Sequence, residues 1–105
     1  MAWFYLFLAG LFEMGWPVGL KIAQADNSKV KGVVFAVACM VMSVSFLYWA
    51  QKNIPIGTAY AVWTAIGASG TFLVGVYFYG DHAHALHYLG IAMIIGGVVA
   101  LKMAS

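Results

Sequence analysis

Four long apolar stretches alternate with three short polar segments along this chain. The apolar stretches cover residues 3–20, 32–50, 56–79 and 85–101. Crossing a bilayer as an α-helix takes roughly 20 mainly apolar residues, with a range of about 17–25. A membrane β-barrel needs many more segments than this chain can supply, each of them alternating apolar and polar residues. The pattern therefore predicts an all-α membrane protein, with four transmembrane helices forming one domain over residues 1–105.

The polar segments contain the residue types that end helices and prefer water. The first covers residues 21–31 and includes three lysines, and the third covers residues 80–84. The second, residues 51–55, ends on Pro55, which suits the first turn of a following helix. All three are too short to form a folded domain. We expect them to be loops, so the two termini should lie on the same side of the membrane.

Composition excludes most other classes of protein. The chain is 65% hydrophobic and 8% charged, whereas a typical soluble domain is about 25% charged. A small soluble domain needs polar residues to cover its surface. A net charge of +2 without arginine is too small for nucleic-acid binding.

The single Cys39 permits no intrachain disulfide, and we expect a buried, unreactive thiol. The first stretch has no basic segment before it and contains Glu13, so we expect no cleaved signal peptide.

Positive charge is balanced between the two sides that this topology defines. Lys21, Lys29 and Lys31 fall on the side of the first and third loops, while Lys52, Lys102 and the N-terminal amine fall on the other. The excess of Lys and Arg that orients most membrane proteins is therefore missing. Two interpretations remain open. Either another feature sets the orientation, or the chain inserts both ways and pairs with an inverted copy of itself, giving the symmetry of inverted-repeat transporters.

Glu13 is the one charged residue deep inside a predicted span. Inserting a charged side chain at the bilayer centre costs about 2.5–3.5 kcal/mol of free energy. The default interpretation of such a residue is therefore a proton relay or a cation site. The alternative is a protonated Glu13 that hydrogen-bonds between helices. Because the chain has no arginine and no lysine within a span, the counter-ion of the carboxylate would be mobile. In a homodimer, two Glu13 side chains could form one site for which protons and a cationic substrate compete. If that site is accessible from one side of the membrane at a time, the competition is sufficient for antiport.

The neighbours of Glu13 in the sequence favour a binding cavity. Gly10 and Trp16 lie three residues before and after it, on the same helical face. We expect Gly10 to leave room beside the carboxylate. Pro17 has no amide N–H, so the Glu13 carbonyl loses its i+4 donor. Pro17 is then either a simple kink or a functional hinge.

The third stretch places Tyr60, Trp63 and Gly67 on one helical face. Aromatic rings can form the wall of a cation site, and a phenol can hydrogen-bond a carboxylate. The alternative for both rings is packing against lipid or a neighbouring helix. Gly67 belongs to a run of small residues, which permits either close helix contact or a flexible hinge.

The second and fourth stretches offer fewer polar groups. Ser43 and Ser45 are expected to hydrogen-bond the backbone of their own helix rather than a ligand. Gly90 and Gly97 lie seven residues apart on one face, which is typical of a helix-packing seam.

Three histidines cluster at the third loop: His82, His84 and His87. They lack a Cys or a well-placed acid other than Asp81 to complete a metal site, so we expect interfacial residues and no bound metal. The chain also has no nucleophile–base pair, no glycine-rich phosphate loop and no CxxC motif. We expect neither an enzyme nor a cofactor.

Several segments resemble the small multidrug resistance family, over essentially the whole chain. They are residues 9–16 (AGLFEMGW), residues 19–21 (GLK) and, most diagnostic, residues 54–64 (IPIGTAYAVWT). Members of this family fold as antiparallel homodimers of dual-topology, four-helix subunits, and they exchange protons for cations. The resemblance implies the same fold and activity for this chain.

Trp16, residues 63–68 and the pair Leu101-Lys102 are similar to the guanidinium-exporter subtype of the family. The resemblance implies that Glu13 is the shared proton and substrate carboxylate, with Trp16 and Ser43 as its hydrogen-bonding neighbours. The other positions that the resemblance assigns are the pocket residues Gly10, Tyr60 and Trp63, and the dimer-seam residues Gly90 and Gly97.

Three features depart from the family pattern, namely Pro17, Ala65 and the Gly80-Asp81-His82 loop, and they bear on substrate specificity. The leading expectation is a proton-coupled antiporter in a bacterial-type inner membrane, exporting guanidinium and small substituted guanidinyl cations. An exporter of quaternary ammonium ions and other drug cations, from the same family, is the first alternative. A non-transporting regulatory membrane subunit is the second.

Overall fold

A computed structural model describes residues 1–25 and 29–104 as four helices joined by short loops. The helices are α1 (Ala2–Gln24), α2 (Lys29–Gln51), α3 (Ile56–Phe78) and α4 (Ala85–Ala104). Each is long and apolar enough to cross a membrane. At 1.5 Å per residue, a helix of 23 residues is about 34 Å long, which exceeds a hydrocarbon core of about 30 Å. The predicted all-helical architecture with four spans is confirmed.

The helices extend past the apolar stretches at several ends. Helix α1 continues through Lys21 to Gln24, and α2 already begins at Lys29. Lysine and glutamine are good helix formers, and a lysine side chain can keep its ammonium in water while its stem lies along apolar surface. The hydrophobic pattern therefore ends before the helix does. Residues 26–28 of the first polar segment, Asp26, Asn27 and Ser28, lie outside the described residues.

Helix α1 is the centre of the subunit. It packs against α2 along one side and against α3 along the other, and α4 packs on α3. Helix α4 has no buried residue among those described, so it forms the most exposed wall of the bundle.

The end of the bundle that contains both termini and the α2–α3 loop has a continuous apolar core, and we call it the closed half. Its core residues come from α1, α2, the α2–α3 loop and α3: Leu6, Ala9, Leu47, Ala50, Ile54, Ala59 and Val62. Aromatic rings flank this core, with Phe46 stacked on Tyr5 (centroids 6.1 Å apart) and on Phe12 (5.8 Å). Three helices therefore meet through side chains at this end.

The opposite end, with the α1–α2 and α3–α4 loops, is built differently, and we call it the open half. Here α1 and α2 approach through glycines: a Cβ on Gly19 would lie 2.8 Å from the Ala36 nitrogen, and one on Gly32 would overlap the backbone of Ala23. Helix α3 does not close against α2, and a cavity of about 580 Å³ lies between α1, α2 and α3. We call it the large cavity, and its lining residues include Phe12, Met14, Gly15, Phe35, Cys39 and Val74.

Gly80 ends α3. Its φ of +67° is a left-handed conformation that a residue with a Cβ rarely adopts. The amides of Tyr79 and Asp81 both donate to the Gly75 carbonyl, at 3.2 and 2.9 Å. These bonds satisfy a terminal carbonyl, as glycine caps of helices do. The cap therefore sets where α3 stops and the loop to α4 begins.

Candidate cation-binding site

Glu13 is the central residue of α1, with residues 2–12 before it and 14–24 after it in the helix. It lies at the boundary between the closed half and the open half. Its Oε1 atom is buried and has no hydrogen-bond partner among the described residues. An unpaired buried polar group costs free energy, and a buried carboxylate costs most. Glu13 therefore has a buried acceptor atom that none of the described residues satisfies.

Gly67 of α3 lies directly against the Glu13 side chain. A Cβ at Gly67 would overlap the Cγ of Glu13. The glycine therefore lets the α3 backbone form the wall of the site. Helix α3 is continuous through Gly67, and the hinge role of this residue stays a prediction.

Gly10 does not leave free space beside the carboxylate, contrary to expectation. A Cβ at Gly10 would lie 2.5 Å from the Cγ2 atom of Ile66, so the side chain of Ile66 fills that position. Gly10 instead allows α1 and α3 to approach closely, one turn before Glu13. Phe12 and Met14, the residues before and after Glu13 in the chain, line the large cavity.

Ser43 joins the three packed helices. Its side chain is fully buried, and its hydroxyl donates to the Ala9 carbonyl of α1 at 2.7 Å. The Trp63 Nε1–H of α3 donates to the Ser43 oxygen at 2.8 Å. The expectation that Ser43 bonds its own helix is therefore wrong, because a neighbouring carbonyl lies within range. The same expectation is correct for Ser45, which donates to Val41 at 2.8 Å.

Trp16 has a buried Nε1–H without a partner among the described residues. The resemblance implies that Trp16 and Ser43 hydrogen-bond Glu13, but here Ser43 donates to Ala9 and the Glu13 Oε1 atom accepts nothing. Helix α1 thus presents an unpaired acceptor at Glu13 and an unpaired donor at Trp16, one turn apart.

The two aromatic residues of α3 differ in their surroundings. The Trp63 ring is half-buried and fixed by its bond to Ser43. Tyr60 is 55% exposed, and its ring centroid lies 5.4 Å from that of Trp63. Tyr60 is therefore the more exposed of the two rings, and its role as a pocket residue stays a prediction.

Pro17 lies inside a continuous α1 and lines a small cavity of about 150 Å³ between α1 and α3. We call it the α1–α3 cavity. Its other lining residues are Val18, Lys21, Thr71, Gly75, Tyr79 and Asp81. Its lining extends from Pro17, one turn beyond Glu13, to Asp81 in the α3–α4 loop. A hinge at Pro17 stays a prediction.

Gly90 and Gly97 lie on the exposed α4, with no atom within 4 Å of the position that a Cβ would occupy. Their surface is therefore uncovered in the single subunit. The role of this surface as a dimer seam stays a prediction.

The three histidines lie at the exposed α3–α4 end, away from Glu13. The ring of His84 lies 4.4 Å from that of His87 and 5.9 Å from that of His82, between centroids. The His87 Nδ1 atom accepts the His84 amide at 3.2 Å, which satisfies a donor at the start of α4. In the described part of the chain, no group of three His, Cys, Asp or Glu side chains could bind a metal ion.

Two features of the site were missed by the sequence analysis. The Ala9 carbonyl accepts the Ser43 hydroxyl, and Ile66 covers Gly10. No sequence signal marks either one, because both depend on how α1 is rotated against its neighbours. The contact between Gly67 and Glu13 had a partial signal, since Gly67 shares a helical face with Tyr60 and Trp63.

Comparison with known proteins places the chain in a family. The sequence profile of the Small Multidrug Resistance protein family matches residues 1–94. The guanidinium exporter of Proteus vulgaris is 41% identical over 105 residues, which cover the whole of both chains. The guanidinium exporters of Escherichia coli (strain K12) and Salmonella typhimurium are 40% and 36% identical, over all of this chain and 99% of each relative. The chain therefore belongs to the small multidrug resistance family, as a multi-pass integral membrane protein.

Proposed function

We propose that this protein is a proton-coupled antiporter that exports guanidinium and small substituted guanidinyl cations across a bacterial inner membrane. The observation that carries the proposal is the buried, unpartnered Oε1 atom of Glu13 at the midpoint of α1. The full-length relatives named guanidinium exporters support the choice of substrate. A secondary transporter of this kind performs no covalent chemistry, which fits a chain without a nucleophile–base pair.

Guanidinium matches the groups that the site presents. Its planar array of N–H donors pairs with carboxylate oxygens in a fork geometry, and such charge-assisted bonds are roughly twice as strong as neutral ones. The half-buried Trp63 and the exposed Tyr60 lie on α3 near the site, and aromatic faces attract a cation.

The complete site contains the Glu13 carboxylates of two inverted subunits. Three features support this pairing. The positive charges are balanced across the membrane, so either insertion is permitted. Trp16 has a donor without a partner, which a carboxylate of a second subunit would satisfy. Gly90 and Gly97 leave a close-approach surface uncovered on α4.

Coupling follows from competition for the same carboxylates. A proton and a guanidinium ion cannot both neutralise one carboxylate, so binding of either displaces the other. If the site opens to one side at a time, inward proton movement drives outward cation movement. The driving force is the proton gradient, and the protein supplies only the shared site and alternating access.

Transport by purified protein in liposomes tests the proposal. Under a proton gradient, the unmodified protein should accumulate guanidinium against its concentration gradient. Glu13→Gln removes the charge at nearly constant shape, and we expect at least about a 30-fold loss of guanidinium binding together with loss of coupled proton flux. Glu13→Asp is the matched control, because it keeps the charge and should retain measurable exchange. Coupled exchange by Glu13→Gln would refute the proposal.

The pH dependence of binding provides a separate test of competition. The deprotonated carboxylate binds the cation, so acidification should weaken guanidinium binding and alkalinisation should strengthen it, by at most about tenfold per pH unit for each proton displaced. Binding that is independent of pH over the range in which transport occurs would mean that protons and cations use different sites.

Insertion in both orientations is tested by tags at the two termini. Each tag should be accessible from both faces of the membrane. Gly97→Leu adds a large side chain to the uncovered surface of α4, and we expect it to abolish dimers in cross-linking, whereas Leu86→Ala at the far end of the same helix should not. A single orientation for all copies would exclude the inverted homodimer.

The large cavity favours a second candidate function. Its walls are almost wholly apolar, and at about 580 Å³ it offers more space than guanidinium requires. An exporter of quaternary ammonium or other hydrophobic cations would use such space for alkyl or aryl groups. The same liposomes, loaded in turn with guanidinium and with tetraethylammonium, distinguish the two substrates. Transport of neither cation would instead favour a regulatory membrane subunit.

A further inference from the structure

An apolar groove of about 360 Å³ runs between α1, α3 and α4 in the closed half, and we call it the α4 groove. It exists because α4 packs on α3 but, among the described residues, not on α1. Its lining includes the buried Leu6 and Val62 and the half-exposed Phe7 and Val99. The groove therefore reaches from the core of the closed half to the outer surface of the subunit.

A second, mostly apolar cavity of about 250 Å³ adjoins the α4 groove. Ile66 and Val98 line both spaces, and Ile95, nearer the middle of α4, lines the second. Apolar space therefore continues along α4 toward the bilayer centre. In a membrane, hydrocarbon chains fill such space without penalty, because lipid tails are as apolar as the side chains that line it.

Trp3 and Lys102 form the outer end of the α4 groove. Trp3 lies in the first turn of α1 and Lys102 in the last turn of α4, so both are at helix ends near the membrane surface. The Lys102 ammonium lies 4.8 Å from the centroid of the Trp3 ring. A lysine ammonium has three donor hydrogens, and a ring on one side of it does not use them all. Lys102 can therefore donate to an anion at this end of the groove.

The side chains at this end of the bundle include lysines but no acidic residue. The chain has three acidic residues. Glu13 is at the midpoint of α1, Asp26 follows the C-terminal end of α1 in the sequence, and Asp81 belongs to the α3–α4 loop. The closed-half end contains Lys52 and Lys102 instead. An anionic ligand at Lys102 is therefore attracted by this end and meets no acidic side chain.

The α4 groove and the glycine surface of α4 face in different directions. At about 100° per residue, Gly97 lies about 140° from Lys102 and about 160° from Val99 around the helix. Packing of a second subunit on Gly90 and Gly97 therefore does not need the side of α4 that forms the groove.

We propose that the α4 groove binds an anionic phospholipid, with the lipid phosphate on the Lys102 ammonium and one acyl chain between α1 and α4. Basic pockets between transmembrane helices bind anionic head groups, and tryptophan prefers the same interfacial depth. The lipid fills the space that separates α4 from α1, and so holds α4 on the bundle. This inference goes beyond the proposed function and does not depend on which cation is transported.

Native mass spectrometry of the purified protein tests the inference with dioleoyl phosphatidylglycerol and dioleoyl phosphatidylcholine, which have the same acyl chains. We expect phosphatidylglycerol to bind at the lower concentration, and glycerol 3-phosphate, which has no acyl chain, not to displace it. Lys102→Gln should weaken phosphatidylglycerol binding about fivefold, the contribution of one lysine near a membrane surface. Lys52→Gln is the matched control, because it removes an equal charge from the same end of the bundle but does not line the groove.

Val99→Phe tests the part of the site that holds the acyl chain. The larger side chain occupies the groove without changing any charge, so we expect a loss of phosphatidylglycerol binding. Met93→Phe adds the same ring at another exposed position of α4 and is the control. Bound phosphatidylglycerol should also raise the unfolding midpoint, because a ligand of the folded state stabilises it, and Lys102→Gln should reduce this increase.

The outcomes separate the lipid site from its alternatives. Losses in Lys102→Gln and Val99→Phe, with the two control variants unchanged, support it. Equal losses in the two lysine variants would indicate diffuse surface charge, and equal binding of both lipids would mean that the head group is not recognised. Displacement by glycerol 3-phosphate would indicate a site for free anions, and lipid binding by monomers alone would mean that a second copy covers the groove. Each of these four results overturns the inference and leaves the proposed function intact, because none involves Glu13.

Discussion

The two halves of the bundle are held together in different ways. In the closed half, α1, α2 and α3 meet through a continuous core of apolar side chains and through the hydrogen bonds of Ser43. In the open half, α1 and α2 touch through glycines, while α3 packs on α1 but stands apart from α2, and the large cavity lies between the three helices. Glu13 lies where the two arrangements meet.

The difference suggests how access to Glu13 is arranged. Side-chain interdigitation fixes helix positions because a packed core has few alternative arrangements of equal energy. In the open half, α3 contacts α1 at Gly67 and Gly70, but among the described residues no apolar core shared with α2 fixes its position there. In the proposed alternating-access cycle, the closed half would block one route to the Glu13 carboxylate and the open half would leave the other route available. These roles would exchange between two inverted subunits.

Leu6→Ala should have the largest effect on stability. Leu6 is fully buried in the core of the closed half, and removing a large buried side chain leaves a cavity that costs about 2–5 kcal/mol. The measurement is the unfolding midpoint of the purified protein in a denaturing-detergent titration. Leu86→Ala, at a position that is 69% exposed, is the control and should change the midpoint little. Equal effects of the two variants would mean that the closed half is not a packed core.

Gly32→Ala tests the glycine contact that joins α1 and α2 in the open half. The added Cβ would overlap the backbone of Ala23 and the Gly19 carbonyl, and backbone atoms cannot rotate away. Overpacking of this kind costs about 1–3 kcal/mol. The control is Gly57→Ala, where no atom lies within 4 Å of the new Cβ, and we expect no loss of stability. A tolerated Gly32→Ala would show that the open half is more adaptable than its backbone contacts indicate.

Ser43→Ala breaks the bridge between the three helices in the closed half. It leaves the Trp63 Nε1–H without its acceptor, and an unpaired buried donor costs about 1–3 kcal/mol. We expect lower stability by thermal unfolding, together with a shift in tryptophan fluorescence as the Trp63 ring loses its partner. Ser45→Ala removes only a bond within α2, so its effect should be smaller. A larger effect from Ser45→Ala would contradict the bridge.

The smallest expected difference concerns two lysines at opposite ends of the bundle. In the closed half, the Lys102 ammonium lies 4.8 Å from the centroid of the Trp3 ring; in the open half, that of Lys21 lies 5.8 Å from the centroid of Tyr79. A cation–π contact contributes about 0.5–1 kcal/mol at exposed sites, and tryptophan is the best partner. Lys102→Gln should therefore lower the unfolding midpoint more than Lys21→Gln does. The reverse order would show that the cation–π contact of the open half contributes more to stability than that of the closed half.

Much of the architecture followed from the hydrophobic pattern. Four spans were predicted because apolar stretches of this length have no stable place in water, and the short loops require helices that run in alternate directions. Glu13 stood out for the same reason, since a charge in an apolar span is expensive. The ends of α1 and α2 were less predictable, because lysine and glutamine continue a helix after the apolar pattern stops.

The arrangement around Glu13 required the tertiary structure. Gly10 and Gly67 are the same residue type in similar apolar sequence surroundings. Even so, the Ile66 side chain covers Gly10, whereas the Glu13 side chain packs on Gly67. Ser43 and Ser45 are two residues apart, yet one donates to another helix and the other to its own. The amino-acid sequence specifies which faces of each helix are small, polar or aromatic. The rotation and depth at which the helices pack decide which of these faces meet, because contacts between helices depend on atoms that are far apart along the chain.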